Sequence, residues 1–323
     1  MSLARAFKCL ALKQHLTEEA ARLAVGALLD GGVPELEQGA LLALLNDRRD
    51  DRAELAGGLA ALSTRSFTLK AAGTAVRPVV LGSCAGTAGA PNLLPLLALS
   101  LRRLHVPVVM HGALSASRGV LAARVLRELG ILPCVTLTQA QGELDGHGFA
   151  FVPTAVLAPG LAHLLALRER LGFGAYAERL ARFVDPFAGA SLLVVGAADA
   201  GERRFLHGIL AERQGACLLL EAAHGDAFAD PHHRPALELI RDAHAEVLFE
   251  ADVPAARPAA GAVCGDDARS TAAWTRAVLH GHSPMPLPIV NQVACCLYGA
   301  GYTVDMNQAK AIAAVQTGSL LAA

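Results

Sequence analysis

The sequence predicts an α/β protein with a small N-terminal α-helical lobe and a larger domain built on a mainly parallel central sheet flanked by helices. Three observations support this class. Residues 77–130 alternate short apolar runs with helical stretches, which is the strand–helix–strand unit of a parallel sheet. Residues 1–66 show helical periodicity alone. Further short apolar runs follow at 149–152, 191–196 and 217–220, as additional buried strands require.

The first 66 residues carry clear helix signals. Thr17 stands before two glutamates, so we expect it to cap a helix that ends at Gly31. Pro34 opens the next helix, and a fourth helix extends through Leu62. The charge run at 47–52 alternates in sign, which favours a solvated loop before that fourth helix.

The larger domain is expected to begin with a strand at 79–81, followed by a helix from Asn92 through Leu104 and a strand at 106–110. Later helices are predicted at 139–145, 161–170, 200–213, 271–280, 289–298 and 305–317.

Composition and charge restrict the function classes. The net charge is −1, so any affinity for polyanions must come from local patches. The chain has no apolar run of the roughly 18 residues that a membrane span needs, and its N-terminus lacks the pattern of a signal peptide. Seven cysteines without C-x-x-C spacing favour reduced thiols. These features predict a cytoplasmic protein without a membrane partner.

A loop rich in small residues, GSCAGTAGA at 82–90, follows the first predicted strand. Ligands of parallel sheets usually lie where the carboxyl ends of the strands meet the following helices, and HGALSAS at 111–117 falls at the same edge. Free backbone N–H groups there would suit a phosphate. Neither G-x-G-x-x-G nor the P-loop pattern is present, so a tight turn that needs only small residues is the other interpretation.

These loops resemble those of the anthranilate phosphoribosyltransferase family, which read G-T-G-G-D, T-F-N-x-S-T and K-H-G-N-R-S-x-S-S. The matching positions are Gly82, Asn92, His111, Gly112, Ser115 and Ser117. The resemblance extends from Leu16 to the C-terminal helices. It implies a helical lobe at 1–66, joined in space by helices near 159–183, and an α/β domain at 67–158 and 184–323.

Several departures from the family pattern bear on activity. Cys84-Ala85-Gly86 replaces Gly-Gly-Asp, Leu94-Pro95 replaces Ser-Thr, Met110 replaces the lysine before His-Gly, and Ala113 replaces the asparagine after it. The apolar replacements cannot restore the hydrogen bonds of the groups they replace. The Asp-Glu pair that binds magnesium in the family is also missing, and Asp226 with Asp230 makes a poor octahedral site. We therefore expect no metal unless the protein is an active transferase, which would use Mg²⁺.

A second matching segment is LRERLGFGAYAERLARFVDP at 167–186, in which Arg168 falls where the family has an arginine that contacts the aromatic acid substrate. Gly174 stands in place of an arginine and Glu178 in place of an asparagine. Arg168 is suited to bind a carboxylate or phosphate, or to pack on the surface. The predicted vestigial phosphate and substrate pocket comprises Gly82, Gly86, Gly89, Asn92, His111, Gly112, Ser115, Ser117 and Arg168.

Basic side chains concentrate in two predicted helical segments. Arg203, Arg204 and His207 are three or four residues apart, which places them close together on one face. An ordinary amphipathic helix with a solvated cationic face is the alternative. The predicted nucleic-acid-binding residues are Arg168, Arg170, Arg179, Arg182, Arg203, Arg204, His207 and Arg213.

Three function classes follow from the resemblance and its departures. In the first class, the chain resembles the YbiB-like subgroup, which keeps this fold, lacks the full substrate motifs and is associated with nucleic-acid binding. That resemblance implies a degenerate enzyme that holds phosphate backbones in basic grooves of a homodimer formed through the helical lobe. The second class is an active glycosyl- or phosphoribosyltransferase on an altered aromatic or nucleobase substrate, with a small phosphorylated ligand. The third is a structural or regulatory partner. The choice between DNA and RNA stays open.

Overall fold

The computed structural model describes residues 3–48, 50–71, 73, 75–83, 86–115, 119–222, 225–252 and 265–317. The chain divides into two compact units. The helical unit comprises Met1–Thr68 and Thr154–Pro186, and the sheet unit comprises Leu69–Pro153 and Phe187–Ala323. None of the helices in these described ranges is long and apolar enough to cross a membrane.

Helices alone form the start of the chain, and strands and further helices follow from Val79 onward. The helices are α1 Leu3–Ala11, α2 Glu18–Asp30, α3 Glu35–Asp47, α4 Arg52–Ser63, α5 Leu94–Arg103, α6 Ala122–Glu128, α7 Leu137–His147, α8 Thr154–Leu157, α9 Pro159–Ala166, α10 Arg168–Leu171, α11 Ala175–Ala181, α12 Ala200–Leu210, α13 Ala268–Leu279, α14 Leu287–Gly299 and α15 Met306–Gln316. The strands are β1 Val79–Ser83, β2 Val108–Gly112, β3 Phe149–Pro153, β4 Leu192–Ala197, β5 Ala216–Glu221, β6 Leu237–Arg241 and β7 His244–Phe249.

The helix ends of the helical unit follow their local sequence signals. The Thr17 hydroxyl accepts a hydrogen bond from the Ala20 N–H at 3.3 Å, which confirms the predicted cap of α2. Gly31 ends α2 in the left-handed region with φ 75°, as predicted, because glycine has no Cβ to clash there. Asp51 caps α4 by accepting from the Glu54 N–H at 2.9 Å.

Most of the predicted helices of the sheet unit and the one at 161–170 begin or end at other residues in the structure, and two of these differences have a clear local cause. The helix expected at 161–170 begins at Pro159, which suits a first helical position, and is interrupted at Leu167 before α10. The helix expected at 200–213 ends at Leu210, because the chain turns toward Gly215, whose φ of 97° does not fit a right-handed helix.

The sheet unit confirms the predicted α/β class. Its seven strands lie in the order β3-β2-β1-β4-β5-β6-β7. The first five are mutually parallel, and β6 and β7 are antiparallel. Alternate strand residues such as Val79 and Leu81 join a buried cluster with α5, α13 and α14. This order places β1 between β2 and β4, so the loops after all three strands lie at one edge.

The hairpin of β6 and β7 was not predicted. Its turn uses Asp242 and Ala243, which are non-glycine residues with φ of 52° and 62°. The usual Asn-Gly or Asp-Gly signal of such a turn is absent, and most of β7 is exposed, so neither turn chemistry nor apolar alternation marks the hairpin.

Candidate functional site

Four polar side chains lie buried where β1, β2 and β5 end. Ser83 is the last residue of β1, His111 is in β2, Asn92 precedes α5, and Asp226 follows β5. Each is at most 3% exposed to solvent. We call these four residues the sheet-edge cluster. The four residues are far apart in sequence, and the fold brings them together at the edge where the family resemblance predicted a ligand pocket.

Asn92 and Asp226 bind each other inside this cluster. The Asn92 side-chain amide donates to the Asp226 carboxyl oxygen at 3.0 Å and to the Val120 carbonyl at 3.1 Å. The Asn92 side-chain oxygen accepts from the Leu94 N–H at 3.2 Å, where α5 begins. The polar atoms of Asn92 are therefore engaged by the protein itself.

The loops after β1 and β2 are joined over this edge. Thr87 and Val120 form an antiparallel bridge, with the Val120 N–H donating to the Thr87 carbonyl at 2.7 Å. Gly119 has φ 79°, and a Cβ built on it would lie 2.7 Å from the Thr87 carbonyl oxygen. A glycine is therefore required for this close approach of the two loops.

The predicted pocket residues are only partly brought together. Gly82 and Gly112 lie in neighbouring strands, and a Cβ on Gly112 would meet the Ser83 carbonyl oxygen at 2.3 Å. Gly86 and Gly89 both have left-handed backbones, with φ 72° and 66°. Of the two predicted serines in the loop after β2, Ser115 is exposed, and Ser117 falls outside the described residues.

Arg168 belongs to the helical unit and has a carboxylate partner within it. Its guanidinium lies 2.7 Å from the Glu178 carboxylate. Glu178 stands at the position where the resembled family has a neutral asparagine. Its carboxylate neutralises the charge of Arg168, which an asparagine could not do. An arginine in this ion pair is less available to an external carboxylate or phosphate.

The sheet-edge cluster does not fit a magnesium–diphosphate site. Mg²⁺ prefers six oxygen ligands, usually carboxylates combined with substrate phosphates. The Asp226 carboxyl already accepts from Asn92 at 3.0 Å and from Ser83 at 3.5 Å, and Ala227 and Phe228 follow it. Asp230 accepts from the His232 N–H at 2.7 Å in a local turn. The carboxylates Asp226 and Asp230 are thus already engaged by neighbouring groups of the protein.

The predicted basic residues of the helical unit are mostly paired or buried. Arg170 lies 3.0 Å from the Glu35 carboxylate in an exposed ion pair. The structure corrects the prediction that Arg179 contributes to a basic surface. Arg179 is 3% exposed, with its guanidinium 3.5 Å from Asp50, so it lies in the interior of this unit. Arg182 is half-buried.

On α12 the predicted cationic face carries a carboxylate partner from β6. Arg203 and His207 lie 2.9 Å and 3.2 Å from the Glu238 carboxylate. Arg204 is exposed, and the half-buried Arg213 donates to the Cys217 sulfur at 3.3 Å. Sequence spacing placed Arg203 and His207 on one face, but it gave no signal of Glu238, which belongs to the unpredicted hairpin.

A separate ionic cluster in the helical unit has the spacing of metal ligands. Among the described residues, His15, Asp51 and Glu54 offer ligand atoms within 4.8 Å of one another. The Arg48 guanidinium already lies among them, 3.0 Å from Glu54 and 2.7 Å from the His15 ring nitrogen. We therefore assign this cluster a structural role, in which arginine supplies the positive charge.

Burial and hydrogen bonding act in opposite directions within this cluster. Burial raises the pKa of the Glu54 carboxyl above its usual value, even with Arg48 beside it. Burial acts in the same direction on Asp51, but hydrogen bonds from the Glu54 N–H and His15, with the charges of His15 and Arg48, lower the pKa of that carboxyl overall.

Comparisons with known proteins agree with this fold. No family model matches the chain. It is 31% identical over 299 residues to the Escherichia coli K12 protein named uncharacterized protein YbiB, covering 91% of this chain and 92% of that one. It is 28% identical over 307 residues to anthranilate phosphoribosyltransferase of Novosphingobium aromaticivorans, covering 91% and 90%. The crystal structure of anthranilate phosphoribosyltransferase from Thermus thermophilus superposes with a TM-score of 0.76 at 22% identity, covering 97% and 94%, which shows the shared fold.

A buried polar cluster at the carboxyl edge of a mainly parallel sheet, a helical unit and full-length similarity together define the class. The chain belongs to the anthranilate phosphoribosyltransferase-like family. Within that family it belongs to the YbiB-like subgroup.

Proposed function

We propose that this protein is a catalytically degenerate member of the family that binds nucleic acid without strong sequence specificity. The observation that carries the first part is the bond between Asn92 and Asp226, which directs two ligand-type side chains toward each other. In this proposal the sheet-edge cluster, which corresponds to the family's substrate site, has become part of the core. Nucleic acid binds instead to a surface of the molecule.

The chemistry of the family supports this loss of activity. Departure of diphosphate requires stabilisation of a large developing negative charge by cations and hydrogen-bond donors. Here Met110 and Ala113 replace polar groups, and Arg168 is paired with Glu178 at 2.7 Å. We infer that the remaining groups do not provide the charge stabilisation that the transfer requires.

Nucleic-acid binding is supported by the YbiB-like subgroup and by the local distribution of charge. The resemblance to that subgroup implies binding to phosphate backbones, which is electrostatic and independent of sequence. The net charge of the whole molecule is −1, so binding must use a local basic surface. Of the predicted arginines on α12, the exposed Arg204 is the best placed to contribute, because Glu238 neutralises Arg203.

We also propose that the helical unit forms a homodimer. Leu36 on α3 is 82% exposed, and Leu12 and Leu23 are exposed on the same unit. Exposed apolar side chains are unfavourable in water and often mark an interface. A two-fold contact would bury the same set of leucines from both copies.

A fluorescence-anisotropy titration with labelled single-stranded DNA and RNA tests the proposal. We expect the affinity to fall steeply between about 50 and 200 mM salt, as it does for proteins that contact several phosphates. Phosphoribosyl pyrophosphate with Mg²⁺ should not compete. Arg204→Glu should weaken binding, because Arg204 is exposed.

Absence of oligonucleotide binding, together with thermal stabilisation by phosphoribosyl pyrophosphate and Mg²⁺, would favour an active transferase on an altered substrate. Ligand binding raises the stability of the folded state as its occupancy rises, so a differential scanning measurement detects it.

A further inference from the structure

Three helices of the sheet unit, α5, α6 and α13, pack together and carry an excess of positive charge. Their sequences contain six arginines and one glutamate. The arginines are Arg102, Arg103, Arg124, Arg127, Arg269 and Arg276. All of them except the half-buried Arg102 are exposed. We call the outer side of these helices the three-helix surface.

Contacts between these helices hold two of the arginines through backbone carbonyls. The Arg276 guanidinium donates to the Glu128 carbonyl at the end of α6, and Arg103 donates to the Leu279 carbonyl at the end of α13. Hydrogen bonds to carbonyls fix the geometry of a guanidinium without cancelling its charge. The carboxylate of Glu128 lies 3.9 Å from Arg269, at the outer limit of an ion pair. Asp266 and Asp267, which directly precede α13, add two further exposed carboxylates. Six arginines against these three carboxylates leave the surface with a net positive charge.

Arg124 and Arg127 are the clearest members of this surface. They are exposed and three residues apart on α6, so they project from the same side of the helix. Neither side chain has a hydrogen-bond or ion-pair partner among the residues that the structure describes. The dipole of α6 favours a cation in the last turn but not in the first, where Arg124 lies. Helix stability thus gives no reason for Arg124.

Two histidines extend the surface beyond the end of α13. The rings of His280 and His282 are stacked, with centroids 6.2 Å apart and planes 19° from parallel. Both residues are exposed, and the His280 ring nitrogen contacts the Arg276 carbonyl at 2.8 Å. Exposed planar rings beside arginines provide stacking partners for unpaired bases.

The apolar content of this surface argues for a polar partner. None of the exposed large hydrophobic side chains among the described residues lies on α5, α6 or α13. Membrane-bound helices and the centres of protein–protein interfaces need such side chains. Interfaces with nucleic acid are more positively charged and more polar.

We infer that the three-helix surface contacts the phosphate backbone of single-stranded nucleic acid. This inference rests on the proposed function and locates it on a face of the sheet unit that none of the eight predicted basic residues occupies. Arg124 and Arg127 contact successive phosphates, and the stacked histidines contact bases.

The test compares the double variant Arg124→Glu/Arg127→Glu with Arg5→Glu/Lys8→Glu. The control pair is also exposed and three residues apart, but it lies on α1 of the helical unit, and it changes the net charge equally. Affinity for a labelled single-stranded oligonucleotide is measured by anisotropy from about 50 to 200 mM salt. We expect the α6 variant to bind roughly ten-fold or more weakly, with a salt slope lower by about 1.4, and the control to change less than about two-fold.

Each outcome has a distinct meaning. If the wild type binds and both variants lose affinity equally, net charge explains the effect and the three-helix surface is wrong. If the wild type binds and the α6 variant binds equally well, the surface is wrong while the proposed function stands. If the wild type binds no oligonucleotide, the proposed function fails and this inference fails with it, and binding to anionic vesicles instead would identify a different partner. Circular dichroism and the milder Arg124→Gln/Arg127→Gln variant, with an intermediate loss expected, separate binding from misfolding.

Discussion

At the scale of single residues, the polar groups of the sheet-edge cluster bind one another. Asn92 donates to Asp226 and accepts from the Leu94 N–H, so it connects the end of β5 to the start of α5. The same amide in an open pocket would be free for a phosphate. Burial of a polar group without its partner is costly, which means that such a pair, once formed, is retained for stability.

Replacement of Asn92 by alanine should therefore destabilise the protein even in the absence of any activity. Asn92→Ala removes the amide that donates a hydrogen bond to the buried Asp226 carboxyl. We therefore expect a loss of about 2–3 kcal/mol in the free energy of unfolding. The measurement is urea denaturation followed by circular dichroism.

Ser83→Ala is the matched control, because the Ser83 hydroxyl lies 3.5 Å from the same carboxyl oxygen, the limit of a hydrogen bond. It should cost less than about 1 kcal/mol. Equal effects of the two substitutions, or an Asn92→Ala protein as stable as the wild type, would mean that the pair contributes no stability and would weaken the case for a structural role.

At the scale of secondary structure, close helix packing explains particular glycines. A Cβ on Gly57 of α4 would lie 2.2 Å from the Glu18 carbonyl oxygen and 2.7 Å from the Ala21 Cβ of α2. The two helices therefore approach so closely that the position has no space for a methyl group. The backbone of Gly57 is helical, so space and not backbone angle is the constraint.

Gly57→Ala should consequently destabilise the helical unit by about 1–3 kcal/mol or more, although alanine has the higher helix propensity. Gly142→Ala in α7 has nothing within 4 Å of the new methyl group, so we expect it to be neutral or to stabilise by up to about 1 kcal/mol. Thermal unfolding of the two variants side by side checks the prediction. A Gly57→Ala protein that gains stability like Gly142→Ala would show that α2 and α4 can separate at little cost.

At the scale of the whole molecule, the exposed leucines of the helical unit favour self-association. Leu36→Glu places a charge in the proposed two-fold contact, where it would be desolvated. We expect the dimer to dissociate at micromolar concentration, as measured by size-exclusion chromatography with light scattering.

The exposed Val304 in the sheet unit provides the control for this prediction, since Val304→Glu makes a similar change outside the helical unit. It should leave the oligomeric state unchanged. A Leu36→Glu protein with the mass of the wild type, or a wild type that is already monomeric, would exclude this contact.

The sequence alone determined much of the local structure and the fold class. Thr17, Gly31 and Pro34 act at the helix ends where short-range chemistry requires them, and the apolar runs at 79–81, 149–152 and 217–220 are buried strands of the sheet. These features depend on interactions between near neighbours. The order of the elements was predicted from the family resemblance, which extends over most of the chain. The β6–β7 hairpin was missed because its turn lacks the usual residues.

Only the tertiary structure decided which charges are free. Asp226 is 134 residues from Asn92, and Glu238 is 35 residues from Arg203. No periodicity links such pairs, because they meet through the order of strands in the sheet. Packing between elements that are distant in sequence likewise buries Arg179 and brings the arginines of α5, α6 and α13 to one surface. Periodicity assigns a side chain to one face of its own helix, but what covers that face depends on the packing of distant elements.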